Sequence, residues 1–235
     1  MLENFNITSL VLKRHVKISV YLPKNYNDND NSYNSLFLLD GQNVFYDNYA
    51  DSNISMKLAN TLDDNNTNLI VFAIHSPKNP DWRLSELIPF NTNNPNLDNT
   101  LSYKFVEFFE ETLIPLLEYR YRLNDNRAII GFKESAITAS YIASYIDKFN
   151  YVGLFSPAIE TCKDEAINLF SKTINSKIIY LYFGGDDVKL STTCYEIFKI
   201  LDKQNNQNII LDYEDKNTND ITSWDKYIIS FSKKM

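Results

Sequence analysis

The chain has 235 residues, of which 44% are hydrophobic, so it has enough apolar residues for the core of one large domain. Its formal net charge at pH 7 is −7, and its Lys and Arg residues form no cluster along the sequence. Because a nucleic-acid surface needs clustered positive charge against the phosphates, the composition argues against nucleic-acid binding.

The predicted elements begin with two strands, 6–12 and 14–22, in which apolar and polar residues alternate as in an antiparallel hairpin. From residue 35 onward, apolar runs typical of buried strands alternate with segments of helical periodicity. Further strands are predicted at 35–41, 68–74, 127–131, 151–156, 177–183 and 208–213, and helices at 53–63, 101–119, 134–147, 163–173, 191–203 and 222–233. This alternation predicts one α/β domain over residues 1–235, with helices on both faces of a mostly parallel central sheet of about eight strands.

In a parallel sheet of this kind, functional groups gather at the carboxyl ends of the strands. The segments that follow the predicted strands are therefore the candidates for a site. They are 40–45, 75–86, 131–135, 184–188 and 214–222.

Several of these segments resemble, in order and spacing, motifs of the α/β-hydrolase family in its esterase D and enterochelin-esterase-like branch. The matching segments are VKISVYLP (16–23), LFLLDGQNVF (36–45), RLSELIP (83–89), IPLLEYRYR (114–122) and GLFSPAI (153–159). The resemblance covers roughly residues 14–232 and implies an α/β-hydrolase fold with a hydrolytic site for esters.

The family's nucleophile is the serine of Gly-x-Ser-x-Gly, which stands on a tight turn between a strand and a helix. The matching residues here are Gly131, Phe132, Lys133, Glu134 and Ser135. Small residues at both ends of this segment allow the turn to form. The nucleophile position itself is occupied by Lys133.

The two other members of the family's catalytic triad are an acid after a late strand and a histidine after the last strand. The segment YFGGDD (182–187) resembles the acid segment and places Asp187 on the acid position, with Asp186 adjacent. The histidine position, five residues before Trp224, is occupied by Asn219. Two of the three catalytic groups are thus replaced, and such losses typically cost about 10⁴–10⁶ in rate.

The first hypothesis is therefore a hydrolase-fold protein without catalytic activity, which binds a small ligand or a partner in the former active-site cleft. Three roles for Lys133 are then open. They are an ion pair with Asp187, binding of a carboxylate or phosphate of a ligand, and a reactive amine with a lowered pKa.

Further binding candidates follow from position and from the resemblance. Gly41 and Gln42 occupy the loop that supplies oxyanion-hole amides in this fold. His75 ends a strand at the functional edge, and Arg83 and Glu86 are expected to pair with each other. Lys133 and Glu134 complete the set.

The second hypothesis is an active carboxylic-ester hydrolase in which Ser135 or Lys133 works with His75 as the base. The only other histidine, His15, lies in the opening hairpin. The third hypothesis is a purely structural or oligomeric role, which a wide exposed apolar patch would favour.

The sequence gives no sign of a signal peptide or of a bilayer-spanning run of roughly 18 apolar residues. Cys162 and Cys194 are far apart and have no further ligands at metal-binding spacing. We therefore expect a cytoplasmic protein with free thiols, without a cofactor, a metal or a membrane contact. A homodimer is kept as an expectation, because two-fold dimers are the commonest oligomers.

Overall fold

The computed structural model describes residues 1–91, 94–98 and 100–235. Its centre is a sheet of eight strands in the order β1-β2-β4-β3-β5-β6-β7-β8. The strands are β1 Leu2–Ser9, β2 Arg14–Tyr21, β3 Tyr33–Leu38, β4 Leu69–Ile74, β5 Leu123–Phe132, β6 Tyr151–Phe155, β7 Ile178–Gly184 and β8 Ile209–Glu214. The pairs β1–β2 and β2–β4 are antiparallel and the others are parallel, so the predicted sheet architecture is confirmed.

Helices cover both faces of the sheet. They are α1 Leu58–Asp64, α2 Pro80–Leu87, α3 Thr100–Glu107, α4 Ile114–Arg120, α5 Ser135–Tyr145, α6 Lys163–Thr173, α7 Val188–Asn205 and α8 Ile221–Ser232. Side chains of α1 and α8 pack with one face of the sheet, and those of α3 to α7 pack with the other. The strands β3 and β4 are buried along almost their whole length because they are covered on both sides.

The local predictions differ from the structure at several element ends. The first strand runs over Leu2–Ser9 rather than 6–12, because a four-residue turn ending at Lys13, with φ of 53°, closes the hairpin. The predicted helix 53–63 begins only at Leu58, after Lys57 in the left-handed conformation with φ of 52°. Helix α2 has no counterpart among the predictions.

The predicted long helix 101–119 is present as three joined segments. A π-helical segment, Phe108–Leu113, lies between α3 and α4. Pro115 follows at the start of α4, and its missing N–H would leave a gap in a regular ladder of hydrogen bonds. Within the described ranges, no helix is both long enough and apolar enough to cross a bilayer.

Candidate functional site

A tight corner joins β5 to α5 at the carboxyl edge of the sheet. Lys133 stands at its tip with φ of 54°, a left-handed conformation that costs a residue with a Cβ about 1–2 kcal/mol. Its backbone N–H donates to Phe155 O at 3.0 Å, which fixes the corner to β6. A Cβ on Gly131 would lie 1.9 Å from the backbone oxygen of Ser135, so only glycine fits where strand and helix come this close. The turn of the nucleophile motif is therefore present, with a lysine at its tip.

Ser135, the alternative nucleophile, closes this corner from inside. Ser135 is fully buried. Its hydroxyl donates to Phe132 O at 2.8 Å and accepts from Phe132 N at 2.8 Å. Both bonds keep the Ser135 hydroxyl within the turn, where it stabilises the first residues of α5.

His75, the candidate base, lies on the antiparallel side of the sheet and is 8% exposed. Its Nε2 is 2.9 Å from Ser19 Oγ on β2, and its ring meets that of Tyr49 edge-on at 5.7 Å. Burial, helped by the nearby charges of Lys17 and Arg14, lowers the pKa of His75 to about 4. The imidazole is neutral at pH 7, and its ring bonds to β2 rather than to either nucleophile proposed for it.

Asn219, which the resemblance matched to the family's histidine, lies after β8 and is 4% exposed. Its Oδ1 accepts from Ser156 Oγ at 2.8 Å and from Gly184 N at 2.9 Å. Its Nδ2 donates to Gly184 O at 2.9 Å and to the carboxylate of Asp186. The amide is thus fully satisfied, and an amide nitrogen has no basic lone pair with which to take a proton.

The acid beside Asn219 is Asp186, although the sequence favoured Asp187. Asp187 Oδ1 instead accepts from Leu190 N at 3.0 Å and caps the N-terminus of α7. The predicted ion pair between Lys133 and Asp187 is absent from the ion pairs that the described residues form. The reason is that the carboxylate of Asp187 is already engaged by the helix end.

Arg83 joins the loop after β3 to the corner. Its Nε and Nη2 donate to the two carboxylate oxygens of Asp40 at 2.8 and 2.7 Å. Its Nη2 is also 3.4 Å from Glu134 Oε2. Burial opposes ionisation of Asp40, but the hydrogen bonds from Arg83 and Ser76 hold the pKa of that carboxyl below its usual range.

The expected pairing of Arg83 with Glu86 is therefore wrong. Glu86 is 1% exposed and accepts from both Nε and Nη2 of Arg14 at 2.7 Å. Burial raises the pKa of Glu86 although Arg14 opposes the shift. Arg83 and Glu86 lie one turn apart on α2, yet each pairs with an oppositely charged group on another element.

The loop that contains Gly41 and Gln42 packs tightly against β4. A Cβ on Gly41 would lie 2.3 Å from the backbone carbon of Ala73, so this position requires glycine. The Gln42 side chain donates to Asp51 Oδ2 at 3.0 Å and accepts from Ser76 N at 3.0 Å. Its amide therefore joins two parts of the connection between β3 and α1 to the loop after β4, a role that leaves it outside the cleft lining.

A cleft of about 260 Å³ opens at the tip of the corner. It is lined by Asp40, Asn43, Asp51, Ser52, Met56, Arg83, Phe132, Lys133, Glu134, Asn219, Asp220, Ile221 and Trp224. Of the predicted binding residues, Arg83, Lys133 and Glu134 line this cleft, and Gly41, Gln42, His75 and Glu86 do not. The segment 51–56 was missed, because it is a loop between β3 and α1 without a recognisable motif.

Lys133 is the charged side chain of this lining that forms no hydrogen bond or ion pair within the described part of the chain. Asp40 and Glu134 share Arg83. Asp51 accepts from two side-chain amides, and Asp220 accepts from Thr222 N at 2.9 Å as the cap of α8. Lys133 directly precedes Glu134, the N-terminal cap residue of α5, and the charge of Lys133 helps to lower the pKa of Asp220.

The geometry defines the class of protein. A tight strand–turn–helix corner ends a central parallel strand, and the loops after β7 and β8 converge beside it, as in an α/β-hydrolase. The family model described as "Putative esterase" matches residues 9–226. The chain therefore belongs to this esterase family.

Solved structures share the fold at low sequence identity. An IroE-like serine hydrolase from Shewanella oneidensis has a TM-score of 0.79 and 15% identity, over 97% of this chain and 78% of that one. A siderophore hydrolase from Aspergillus nidulans has a TM-score of 0.76 and 14% identity, over 100% and 94%. A ferulic acid esterase from Anaeromyces mucronatus, solved in complex with ferulic acid, has a TM-score of 0.66 and 19% identity, over 99% and 89%. No curated protein matches the chain.

Proposed function

We propose that this member of the esterase family binds a small anionic ligand in the cleft and does not hydrolyse esters. The observation that carries the proposal is Lys133, a cation at the tip of the corner that forms no hydrogen bond or ion pair with the described residues. The ligand class is a carboxylate or phosphate attached to an apolar body.

The chemistry of the two replaced positions supports the absence of hydrolysis. Attack on an ester needs a nucleophile and a base that takes its proton. Lys133 offers an ammonium group and Asn219 an amide, so neither supplies the base. The alternative, an active carboxylic-ester hydrolase that uses Ser135 or Lys133 with His75, needs groups whose hydrogen bonds lie elsewhere.

The charge arrangement supports an anionic ligand. Lys133 precedes the N-terminal cap of α5 in the chain, and both a lysine and the positive end of a helix dipole favour negative charge. The positive charge of Arg83 offsets the negative charges of Asp40 and Glu134. Asp51 and Asp220 remain at the cleft as negative groups. The charge of Lys133 already helps to lower the pKa of Asp220, so the ligand's anion must compete with Asp220 for Lys133.

The floor of the cleft supports an apolar body on the ligand. The rings of Phe132 and Trp224 stack at 4.7 Å, and Met56 and Ile221 also line this space. Apolar walls beside a charged group favour an amphipathic ligand over an inorganic ion. A structural relative holds ferulic acid, which is itself a carboxylic acid with an apolar body.

The test uses three probes of nearly equal size and different charge: benzoate, benzamide and benzylamine, titrated by isothermal calorimetry or NMR. We expect benzoate to bind about tenfold more tightly than benzamide, since one ion pair in a partly buried site contributes about 1.4 kcal/mol. Lys133→Met should remove this preference. Lys148→Met, which changes a half-exposed lysine away from the cleft, should leave it intact.

Two results would overturn the proposal. One is preferential binding of benzylamine, which would mean that the carboxylates of the lining decide the ligand's charge. The other is benzoate binding that survives Lys133→Met unchanged.

A further inference from the structure

More negative than positive side chains line the cleft beside the corner. The charged residues of its lining are the acids Asp40, Asp51, Glu134 and Asp220 and the bases Arg83 and Lys133. Asp40 and Glu134 pair with Arg83, and the charge of Lys133 acts on Asp220. Asp51 forms no ion pair with any described residue. A ligand that carried only an anion would add to this excess of negative charge, and a ligand that also carried a cation would offset it.

The carboxylate of Asp51 is held in place through one of its oxygens. Its Oδ2 accepts from Gln42 Nε2 at 3.0 Å and from Asn43 Nδ2 at 3.1 Å, and its backbone N–H donates to Asn43 Oδ1 at 2.9 Å. Gln42 is itself buried and accepts from Ser76 N, so it gives the carboxylate a firm support. The other oxygen, Oδ1, forms no hydrogen bond with the described residues. It is therefore left to accept from a ligand.

Asp220, the remaining acid without an ion pair, is a poorer acceptor for a cation of the ligand. Its Oδ1 accepts from Thr222 N, Thr222 Oγ1 and Thr218 Oγ1, bonds that serve the start of α8. The positive charge of Lys133 acts on this carboxylate. A cation of the ligand at Asp220 would thus be repelled by Lys133, whereas Asp51 lies in a different connection, between β3 and α1.

We propose that the ligand of this cleft is a zwitterion with an aromatic body, whose carboxylate meets Lys133 and whose ammonium group meets Asp51. The inference rests on the proposed function, because it keeps Lys133 as the site of the ligand's anion. The rings of Phe132 and Trp224, which line the same cleft, offer a surface to the aromatic body. Two charge-assisted hydrogen bonds would fix the ligand in one orientation, since the reversed orientation places like charges together.

The test compares two pairs of probes by isothermal calorimetry. Para-aminomethylbenzoate and phenylalanine carry an ammonium group where para-hydroxymethylbenzoate and phenyllactate carry a hydroxyl. We expect at least one ammonium probe to bind about tenfold more tightly than its hydroxyl counterpart. Asp51→Asn should remove this preference, because the amide keeps an oxygen for Gln42 and Asn43 but carries no charge. Asp64→Asn, which neutralises an exposed acid outside the lining, should leave the preference intact.

Two results would overturn the inference. One is equal binding of the two members in both pairs, and the other is a preference for the ammonium probe that survives Asp51→Asn. The proposed function is tested separately, by the preference for benzoate over benzamide and its loss in Lys133→Met. If that preference is present while the ammonium group has no effect, the zwitterion alone is refuted. If it is absent, the proposed function fails as well.

Discussion

The buried His75 makes stability depend on pH in a direction that the structure fixes. Its pKa is about 4 in the folded chain and about 6.5 in the unfolded chain. Between these values the unfolded state binds a proton that the folded state does not, so stability falls as the pH falls from about 6.5 to about 4. Each pKa unit corresponds to about 1.4 kcal/mol, so a shift of about 2.5 units amounts to about 3 kcal/mol. Above pH 7 His75 is neutral in both states, so this loss of stability is absent.

The assay is urea unfolding of wild type and His75→Gln at pH 7.5 and at pH 4. The difference in unfolding free energy between the two proteins should change by about 3 kcal/mol between these pH values, in favour of the variant at pH 4. Carboxyl groups titrate in both proteins and cancel in that difference. The matched control is His15→Gln, which removes the exposed imidazole of the opening hairpin. A pH-independent difference for His75→Gln would refute the reasoning.

Two further predictions concern the corner and its supports. Arg83→Met should lower the unfolding free energy at pH 7 by about 3–5 kcal/mol in urea titrations, because it leaves the buried carboxylate of Asp40 without its cation. Lys226→Met, which breaks an exposed ion pair, should change stability little, and equal losses would contradict the account. Lys133→Gly should raise the unfolding free energy by about 1 kcal/mol, since glycine relieves the left-handed strain at φ of 54°. Lys133→Ala should give no such gain in the same urea titrations, and an equal gain would mean that the turn is unstrained.

The sheet could be predicted from the sequence because its signal is local and repeated. Apolar runs such as 68–74 match strands that are buried on both faces, and the structure places β4 at Leu69–Ile74. The corner between β5 and α5 could also be predicted, because Gly131 marks the point where strand and helix come too close for a side chain. Helix α2 was missed because Pro80–Leu87 shows little apolar periodicity, although Asn79 caps it by accepting from Trp82 N.

The ion-pair partners of charged residues could not be predicted from the sequence in the same way. Arg83 and Glu86 have the spacing of a helical ion pair. Arg83 instead binds Asp40 in the loop after β3, and Glu86 binds Arg14 on β2. Such choices depend on which loops the sheet brings together. Similarly, Asp186 and Asp187 are adjacent in sequence, and only the start of α7 decides which of them turns towards the loop after β8.

The central claim is that the esterase fold is kept while ester hydrolysis is absent. It is tested most directly by incubating the purified chain with p-nitrophenyl butyrate and with a fluorophosphonate that labels activated serines, beside an active esterase as positive control. We expect no turnover above buffer and no labelled serine. Turnover or labelling that disappears on Ser135→Ala or His75→Gln would contradict it and would establish a displaced catalytic pair.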